Sequence, residues 1–230
     1  MSKQTLIKIK DITKTYGTKV KTAVLKDINL EIEKGSFNWI VGASGSGKTT
    51  LLNIISGLDA STSGKVEIEG VDLVSLTPNE RARFRANNLG FIFQFHYLLP
   101  EYNALDNILM PLRIQNKKID KAVKQRALDL MKEVGIDHVH DHYPNQMSGG
   151  EQQRTAVARA IIGGPLLILA DEPTGNLDSS SAEAVYQLLR ALHQTYKTTF
   201  IVITHDKINP AKGDRLLTLK DGVLIKDVIY

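Results

Sequence analysis

The sequence predicts an α/β fold with three parts: a core of buried parallel strands, an antiparallel β subdomain and an inserted α-helical subdomain. Alternating apolar positions near the N-terminus, short continuous apolar runs further along and a helical stretch between those runs predict these parts. With 230 residues, the chain is long enough for one domain, which we expect to span 1–230. Hydrophobic residues make up 42% and charged residues 23%, which is typical of a globular protein and not of a disordered one.

The antiparallel part is predicted by strands with a period of two. Ile28, Leu30 and Ile32 alternate with polar residues, and Val66 and Ile68 repeat the pattern. Such alternation is typical of a strand with one buried face and one face in water. We therefore expect these strands to form an antiparallel sheet.

Three other runs, Phe37–Val41, Leu166–Ala170 and Phe200–Ile203, are almost continuously apolar. Strands buried on both faces have this composition, which favours a parallel sheet covered by helices. Near the end of the chain, Asp221 and Gly222 lie between two apolar segments and predict a tight hairpin.

The inserted helical subdomain is predicted to cover roughly residues 95–163. Within it, Lys121–Val134 has the apolar spacing of an amphipathic helix, and Gly135 is a suitable residue to end that helix.

Composition excludes several kinds of protein. The chain has no cysteine, which excludes disulfide scaffolds, thiolate metal sites and cysteine nucleophiles. No run approaches the roughly 18 apolar residues needed to cross a bilayer, so we expect a soluble, cytoplasmic chain. The net charge of +4 is compatible with an anionic ligand but indicates none.

A phosphate-binding loop follows the first continuous apolar run. Its sequence fits the pattern G-x-x-x-x-G-K-[ST], in which glycines let backbone N–H groups curl around phosphate oxygens. Lys48 is expected to neutralise phosphates and the Thr49 hydroxyl to ligate Mg²⁺. The candidate nucleotide contacts are Gly42, Ala43, Ser44, Gly45, Ser46, Gly47, Lys48, Thr49 and Thr50. The pattern predicts a nucleoside triphosphate ligand but does not separate kinases, GTPases, helicases and transport ATPases.

Two adjacent acids, Asp171 and Glu172, follow the second apolar run. A carboxylate at the end of a parallel strand lies where such sheets bind ligands. Asp171 is placed to hold Mg²⁺, and Glu172 is placed to orient or deprotonate the attacking water. Two neighbouring acids alone are also compatible with a solvated loop, so their functional interpretation depends on the phosphate loop upstream.

Ser148, Gly149 and Gly150 open a predicted helix. The segment is either a second anion site, with a hydroxyl and exposed backbone N–H groups, or an ordinary helix cap. The chain has two such helix ends but only one phosphate-loop lysine. This favours a second end that serves the nucleotide of another copy.

Together these motifs resemble the ATPases of ABC transporters over essentially the whole chain. The resemblance covers seven positions in the expected order: Tyr16 for the aromatic residue that stacks on adenine, 42–49 for Walker A, Gln94 for the Q-loop, 148–150 for the signature motif, 167–172 for Walker B, Asp178 for the D-loop and His205 for the switch histidine. The signature departs from the commonest form at Met147, usually leucine, and at Glu151, usually glutamine.

The family resemblance implies a P-loop NTPase (RecA-like) core, ATP and Mg²⁺ as ligands, and ATP hydrolysis. It implies catalytic roles for Glu172, His205 and Gln94, and magnesium ligation by Thr49, Gln94 and Asp171, the last through water. It also implies two chains facing head to tail, with each ATP between the Walker A loop of one chain and the signature and D-loop of the other.

Within the family, the segments 91–100 and 171–178 are similar to the lipoprotein-releasing and macrolide-export branch. That resemblance implies a separate integral membrane permease, a peripheral location on the cytoplasmic face of the inner membrane, no direct cargo contact and no nucleic acid. A soluble ABC ATPase acting on DNA or ribosomes is the alternative. It is disfavoured because such proteins usually carry paired ATPase domains, long coiled coils or zinc modules.

Two clusters outside these motifs allow a functional and a plain interpretation. The group His138, His140, Asp141 and His142 could ligate a metal, but a solvated loop is favoured. Three arginines near Phe84 could contact nucleic acid, but an exposed helix start or loop is favoured; they are Arg81, Arg83 and Arg85.

Overall fold

The computed structural model describes residues 4–18, 20–206 and 208–230. These residues form two compact units, one made of the described part of 1–85 and 197–230, the other of 86–196. The elements in chain order are β1 (Thr5–Tyr16), β2 (Thr22–Glu33), β3 (Phe37–Val41), α1 (Lys48–Ile55), β4 (Ser63–Ile68), β5 (Val71–Asp72), α2 (Pro78–Asn88), β6 (Leu89–Phe93), α3 (Ala104–Ile114), α4 (Lys121–Glu133), α5 (Gly149–Ile161), β7 (Leu167–Asp171), α6 (Ser179–Tyr196), β8 (Thr199–Thr204), β9 (Arg215–Lys220) and β10 (Val223–Ile229).

The first unit contains the predicted antiparallel sheet, with strand order β2-β1-β4-β5. Ile9 at its centre pairs with Leu30 on one side and with Val66 on the other. The alternating residues Ile28 and Ile32 are buried, which confirms the prediction made from their spacing. The polar residues between them therefore face outward, as the period of two requires.

Strand β3 is held on both sides in the same unit. It pairs in parallel with β8 and β9, so that Trp39 lies between Val202 and Leu216. The buried indole N–H of Trp39 donates to Asp214 Oδ2 at 2.8 Å. These contacts fix the end of β3, from which the phosphate loop begins.

The hairpin predicted at the end of the chain is also present. Strands β9 and β10 pair antiparallel, and Lys220 faces Val223 across the turn. Asp221 and Gly222 both adopt positive φ angles, 48° and 78°, which suits their residue types in a two-residue turn.

The second unit combines a parallel strand pair with helices. β6 pairs with β7, and Phe93 lies beside Asp171 at the carboxyl end. The amphipathic helix α4 ends within one residue of its predicted end, and Gly135 follows it with a φ of 74°. Between residues 95 and 163 lie α3, α4 and α5, in agreement with the predicted helical stretch. The limits of a separate helical subdomain stay a prediction.

Among the helices that the structure describes, none has both the length and the apolar character needed to cross a membrane.

Helix α5 approaches β6 closely at Gly90, and this contact yields a prediction about stability. A Cβ at Gly90 would lie 2.3 Å from the carbonyl oxygen of Ala160, too close for any side chain. We expect Gly90→Ala to lower the free energy of unfolding by about 1–3 kcal/mol, because helix and strand must separate. Urea unfolding followed by circular dichroism measures the change.

Gly163→Ala is the matched control for this substitution. Its Cβ would meet only the side-chain amide of Gln115, at 3.3 Å. Equal stability of Gly90→Ala and the control would contradict the proposed close packing.

Candidate nucleotide site

The phosphate loop lies between β3 and α1 in the first unit. Gly42 follows the last residue of β3, and α1 begins at Lys48. Gly47 caps the helix with a φ of 101° and offers no side chain to its N–H groups. The loop therefore brings backbone N–H groups and a helix N-terminus together in one short segment, the arrangement that binds phosphate.

Two glycines of this loop are required by their surroundings. A Cβ at Gly42 would lie 2.2 Å from the carbonyl oxygen of Leu219, and a Cβ at Gly47 would lie 2.9 Å from the Leu25 side chain. At Gly45, by contrast, a Cβ would meet nothing within 4 Å. The loop is thus pressed against its own unit on one side and open on the other.

Lys48 is buried, with 5% of its surface exposed. Its Nζ donates to the carbonyl oxygens of Gly42 at 2.9 Å and Ala43 at 3.1 Å. Ser46 is also 5% exposed, and its Oγ has no hydrogen-bond partner among the described residues. A buried cation beside an unpartnered hydroxyl suits the oxygens of a polyphosphate.

His205 lies beside the start of the phosphate loop. In the parallel pair of β3 and β8, Val41 is opposite Thr204. Gly42 and His205 therefore directly follow neighbouring parallel strands, at the same edge of the sheet. The His205 side chain is 55% exposed.

Tyr16, the predicted adenine contact, ends β1 and is 44% exposed. Its hydroxyl donates to Asp59 Oδ2 at 2.5 Å and hydrogen-bonds the Thr50 side chain in α1. Partial burial and the bond to Asp59 raise the pKa of Tyr16. The ring is therefore tied through its hydroxyl to the helix that follows the phosphate loop.

The second unit brings three other predicted site residues together. Because Phe93 pairs with Asp171, Gln94 and Glu172 leave neighbouring strands side by side. Glu172 has a φ of 47°, a left-handed conformation that costs a residue with a Cβ about 1–3 kcal/mol. Strain of this kind clusters at functional sites, which supports the expected role of Glu172.

Gln94 forms hydrogen bonds with the segment that precedes Asp178. Its Nε2 donates to Asn176 Oδ1 at 3.2 Å, and Asn176 Nδ2 donates to the Gln94 carbonyl at 3.1 Å. A Cβ at Gly175 would lie 2.8 Å from Gln94 Nε2, so glycine leaves room for this exchange. Sequence reasoning did not predict this contact, because Asn176 lies 82 positions from Gln94.

Ser148 caps helix α5 in a reciprocal arrangement with Glu151, and a second anion site at this helix end stays a prediction. The Ser148 hydroxyl accepts from the Glu151 N–H at 3.3 Å, and Glu151 Oε2 accepts from the Ser148 N–H at 2.8 Å. The hydrogen bonds from Ser148 lower the pKa of Glu151. Gly149 and Gly150 form the first turn, and added Cβ atoms there would meet at most Leu177, at 3.8 Å.

Asp178 fixes the start of α6. Its carboxylate accepts from the N–H and hydroxyl groups of both Ser180 and Ser181. These bonds lower the pKa of Asp178 well below its usual range. Asp178 is consequently ionised at any physiological pH.

Sequence reasoning did not identify Arg159 and Gln153, two residues of α5 that contact segments carrying site residues. The Arg159 guanidinium donates to the carbonyls of His96 and Tyr97, both at 2.6 Å, and burial lowers its pKa to about 10. The buried Gln153 Nε2 donates to the Pro173 carbonyl at 2.6 Å. Both tie α5 to segments that carry site residues, across 20 to 63 positions, which no local pattern could reveal.

The histidine cluster of 138–142 contacts the start of α5, and the arginine cluster of 81–85 lies on α2. His138 Nε2 contacts Glu151 Oε1 at 2.9 Å, and His140 Nδ1 contacts the Asp137 carbonyl. In the part of the chain that the structure describes, no three histidine or acidic side chains converge as metal ligands would. The arginines lie on α2, which buries none of its residues.

Comparison with known proteins decides the family. A family model described as "ABC transporter" matches residues 25–175, more than half of the chain. The chain belongs to the ABC transporter family. It is an ATP-binding cassette that hydrolyses ATP to drive transport, and it is not one of the family's DNA or ribosome proteins.

Two curated relatives are similar over nearly the whole chain. The lipoprotein-releasing system ATP-binding protein LolD of Shewanella frigidimarina is 48% identical, over 97% of this chain and 93% of its own. LolD of Cytophaga hutchinsonii is 46% identical, over 96% of this chain and 100% of its own.

Solved structures confirm the fold class. The ATP-binding cassette MJ0796, solved as a post-hydrolysis dimer with ADP and Pi, has a TM-score of 0.88 and 39% identity, covering 97% of this chain and 98% of its own. A second dimeric structure of the same cassette has a TM-score of 0.87 and 41% identity, with the same coverage.

The burial of Lys48 yields a prediction about binding. We expect Lys48→Ala to weaken ATP binding by about 30-fold or more, because charge-assisted hydrogen bonds to phosphate are worth roughly 2 kcal/mol or more. Isothermal titration calorimetry with ATP measures this. Lys65→Ala, at an exposed position of β4, is the control, and equal affinity of the two variants would contradict the phosphate role.

Proposed function

We propose that this chain is the ATP-hydrolysing subunit of a lipoprotein-releasing transporter, acting as a homodimer attached to a separate membrane permease. The observation that carries the proposal is the phosphate loop, where buried Lys48 lies beside the unpartnered Ser46 hydroxyl. The cargo class and the membrane partner are supported by the relatives, which are named lipoprotein-releasing ATP-binding proteins.

In this proposal ATP binds with its adenine on Tyr16 and its phosphates in the loop from Gly42 to Thr50. The hydroxyl of Thr49, the carboxylate of Asp171 and the amide oxygen of Gln94 are oxygen donors of the kind that Mg²⁺ prefers. Mg²⁺ would be held by Thr49 and Gln94 directly and by Asp171 through water. Bound there, it would neutralise charge on the phosphates as the terminal bond breaks.

Two further residues have proposed roles in ATP hydrolysis. Glu172 accepts a proton from the water that attacks the terminal phosphorus, and ADP leaves with the electrons of the broken P–O bond. His205 hydrogen-bonds the terminal phosphate and keeps the water in line. Its place beside Gly42 supports this role.

The second copy completes each site in the proposed dimer. Ser148, Gly149, Gly150 and Asp178 of that copy contact the nucleotide held by the first copy. Because ATP lies between the copies, its binding favours the dimer and its hydrolysis releases it. Solved dimers of the similar cassette MJ0796 support this arrangement.

The segment after Gln94 is the proposed contact for the membrane permease. Phe95 is 60% exposed and Tyr97 is 64% exposed, and aromatic residues are enriched at protein interfaces. Arg159 fixes the backbone of the segment through the carbonyls of His96 and Tyr97. Two exposed rings on a fixed backbone suit the docking of a cytoplasmic helix.

Attachment to the permease implies where the chain is located and which molecules it does not contact. The chain is peripheral on the cytoplasmic face of the inner membrane, held there by the permease. It has no direct contact with the cargo and none with nucleic acid.

Replacement of the proposed base tests the dimer. We expect Glu172→Gln to bind ATP with unchanged affinity but to hydrolyse it at least a hundredfold more slowly, since general-base catalysis contributes about 10²–10⁴-fold. ATP should therefore trap the variant as a dimer, which size-exclusion chromatography with light scattering detects. The control is Glu67→Gln on β4, which should turn over ATP normally. A monomer at saturating ATP would contradict the shared site.

A pull-down tests the permease contact. In the Glu172→Gln background, Phe95→Ala with Tyr97→Ala should reduce recovery of a multi-span membrane protein from solubilised membranes by about tenfold or more, because buried interface aromatics contribute about 2 kcal/mol each. Mass spectrometry identifies and quantifies the protein.

Leu58→Ala with Val74→Ala is the matched control, since both residues are exposed and apolar. Undiminished recovery by the aromatic variant would contradict the proposed surface. Recovery of ribosomal or DNA-bound proteins in place of a membrane protein would contradict the transport function.

A further inference from the structure

A compact polar cluster surrounds Tyr16 on the side of the first unit. Lys14 Nζ lies 4.5 Å from the centre of the Tyr16 ring and also donates to Asp59 Oδ1 at 2.7 Å. Asp59 Oδ2 accepts from the Tyr16 hydroxyl at 2.5 Å. One carboxylate thus holds both the aromatic ring and the cation that covers one of its faces.

The cation in this cluster is withdrawn from water. Lys14 is 9% exposed, and its Nζ also donates to the Ala60 carbonyl at 2.6 Å. A cation over an aromatic face is held more strongly when it is desolvated than when it is exposed to water. Hydrogen bonds from Lys14 and Tyr16 lower the pKa of Asp59, despite an opposing contribution from burial, so Asp59 is charged at neutral pH.

The same cluster connects the ring to the helix of the phosphate loop. Asp59 lies just beyond the C-terminal end of α1, and Thr50, which hydrogen-bonds the Tyr16 hydroxyl, lies in its first turn. The ring is therefore fixed relative to α1 from both ends of the helix. The distance between a base on the ring and phosphates at Lys48 is fixed with it.

We propose that Lys14 and Asp59 are positioning residues for the purine base of the nucleotide. They hold the Tyr16 ring as a ready platform whose exposed part stacks on the base, with Lys14 covering the ring from behind. A platform fixed in advance lowers the entropy cost of binding. This inference depends on the proposed role of Tyr16 in nucleotide binding.

The test compares ATP with inorganic tripolyphosphate, which lacks base and ribose. Isothermal titration calorimetry with Mg²⁺ measures both affinities for the full chain and for Lys14→Met, a variant that keeps side-chain length but removes the charge. We expect ATP affinity to fall about three- to tenfold, consistent with a loss of roughly 1 kcal/mol, and tripolyphosphate affinity to change by less than twofold. Lys10→Met, exposed on the same strand, is the control and should match the parent chain for both ligands.

Tyr16→Phe gives a second, milder measurement should Lys14→Met fail to fold. It keeps the ring but removes the hydroxyl that Asp59 and Thr50 hold, so ATP affinity should again fall by about threefold while tripolyphosphate affinity is kept. Equal losses for both ligands in either variant would overturn the inference, because the cluster would then act on the phosphate loop.

Tyr16→Ala separates the inference from the function on which it depends. If this variant binds ATP as tightly as the parent chain, the adenine role of Tyr16 fails and the inference fails with it. If it loses ATP affinity while Lys14→Met and Tyr16→Phe do not, only the positioning role is overturned.

Discussion

The burial of the Lys48 ammonium is the constraint on which the nucleotide site depends. A buried cation needs acceptors, and Lys48 finds them in the carbonyls of Gly42 and Ala43, which the loop can offer only by curling around the side chain. That curl brings Gly42 against the Leu219 carbonyl, where only glycine fits. Strand β9 and the loop therefore constrain each other, and β3 is fixed between β8 and β9.

Parallel strand pairing explains how distant residues arrive at common edges. His205 lies beside Gly42 because Thr204 pairs with Val41. Gln94 lies beside Glu172 because Phe93 pairs with Asp171. In both pairs each residue directly follows a buried strand. The pairing of two short apolar runs is therefore enough to bring the two residues together.

Elements that are encoded by consecutive residues could be predicted from the sequence, whereas contacts between residues far apart in the chain could not. The runs 37–41 and 200–203 predicted buried strands because nearly every residue in them is apolar, and the structure confirms both. Sequence reasoning did not single out Asp59, because it lies 45 positions from Lys14 and only the fold brings the two side chains together. The loop between β3 and α1 could be predicted from the sequence because its pattern lies within eight consecutive residues.

The dependence of ATP turnover on protein concentration tests whether two copies share each ATP, as proposed. Steady-state hydrolysis by the purified parent chain would be measured at saturating MgATP over a hundredfold dilution series. Turnover per chain should fall on dilution, because dissociated copies lack the partner's Ser148. Turnover per chain that stays constant from a chain shown by light scattering to be monomeric would contradict it.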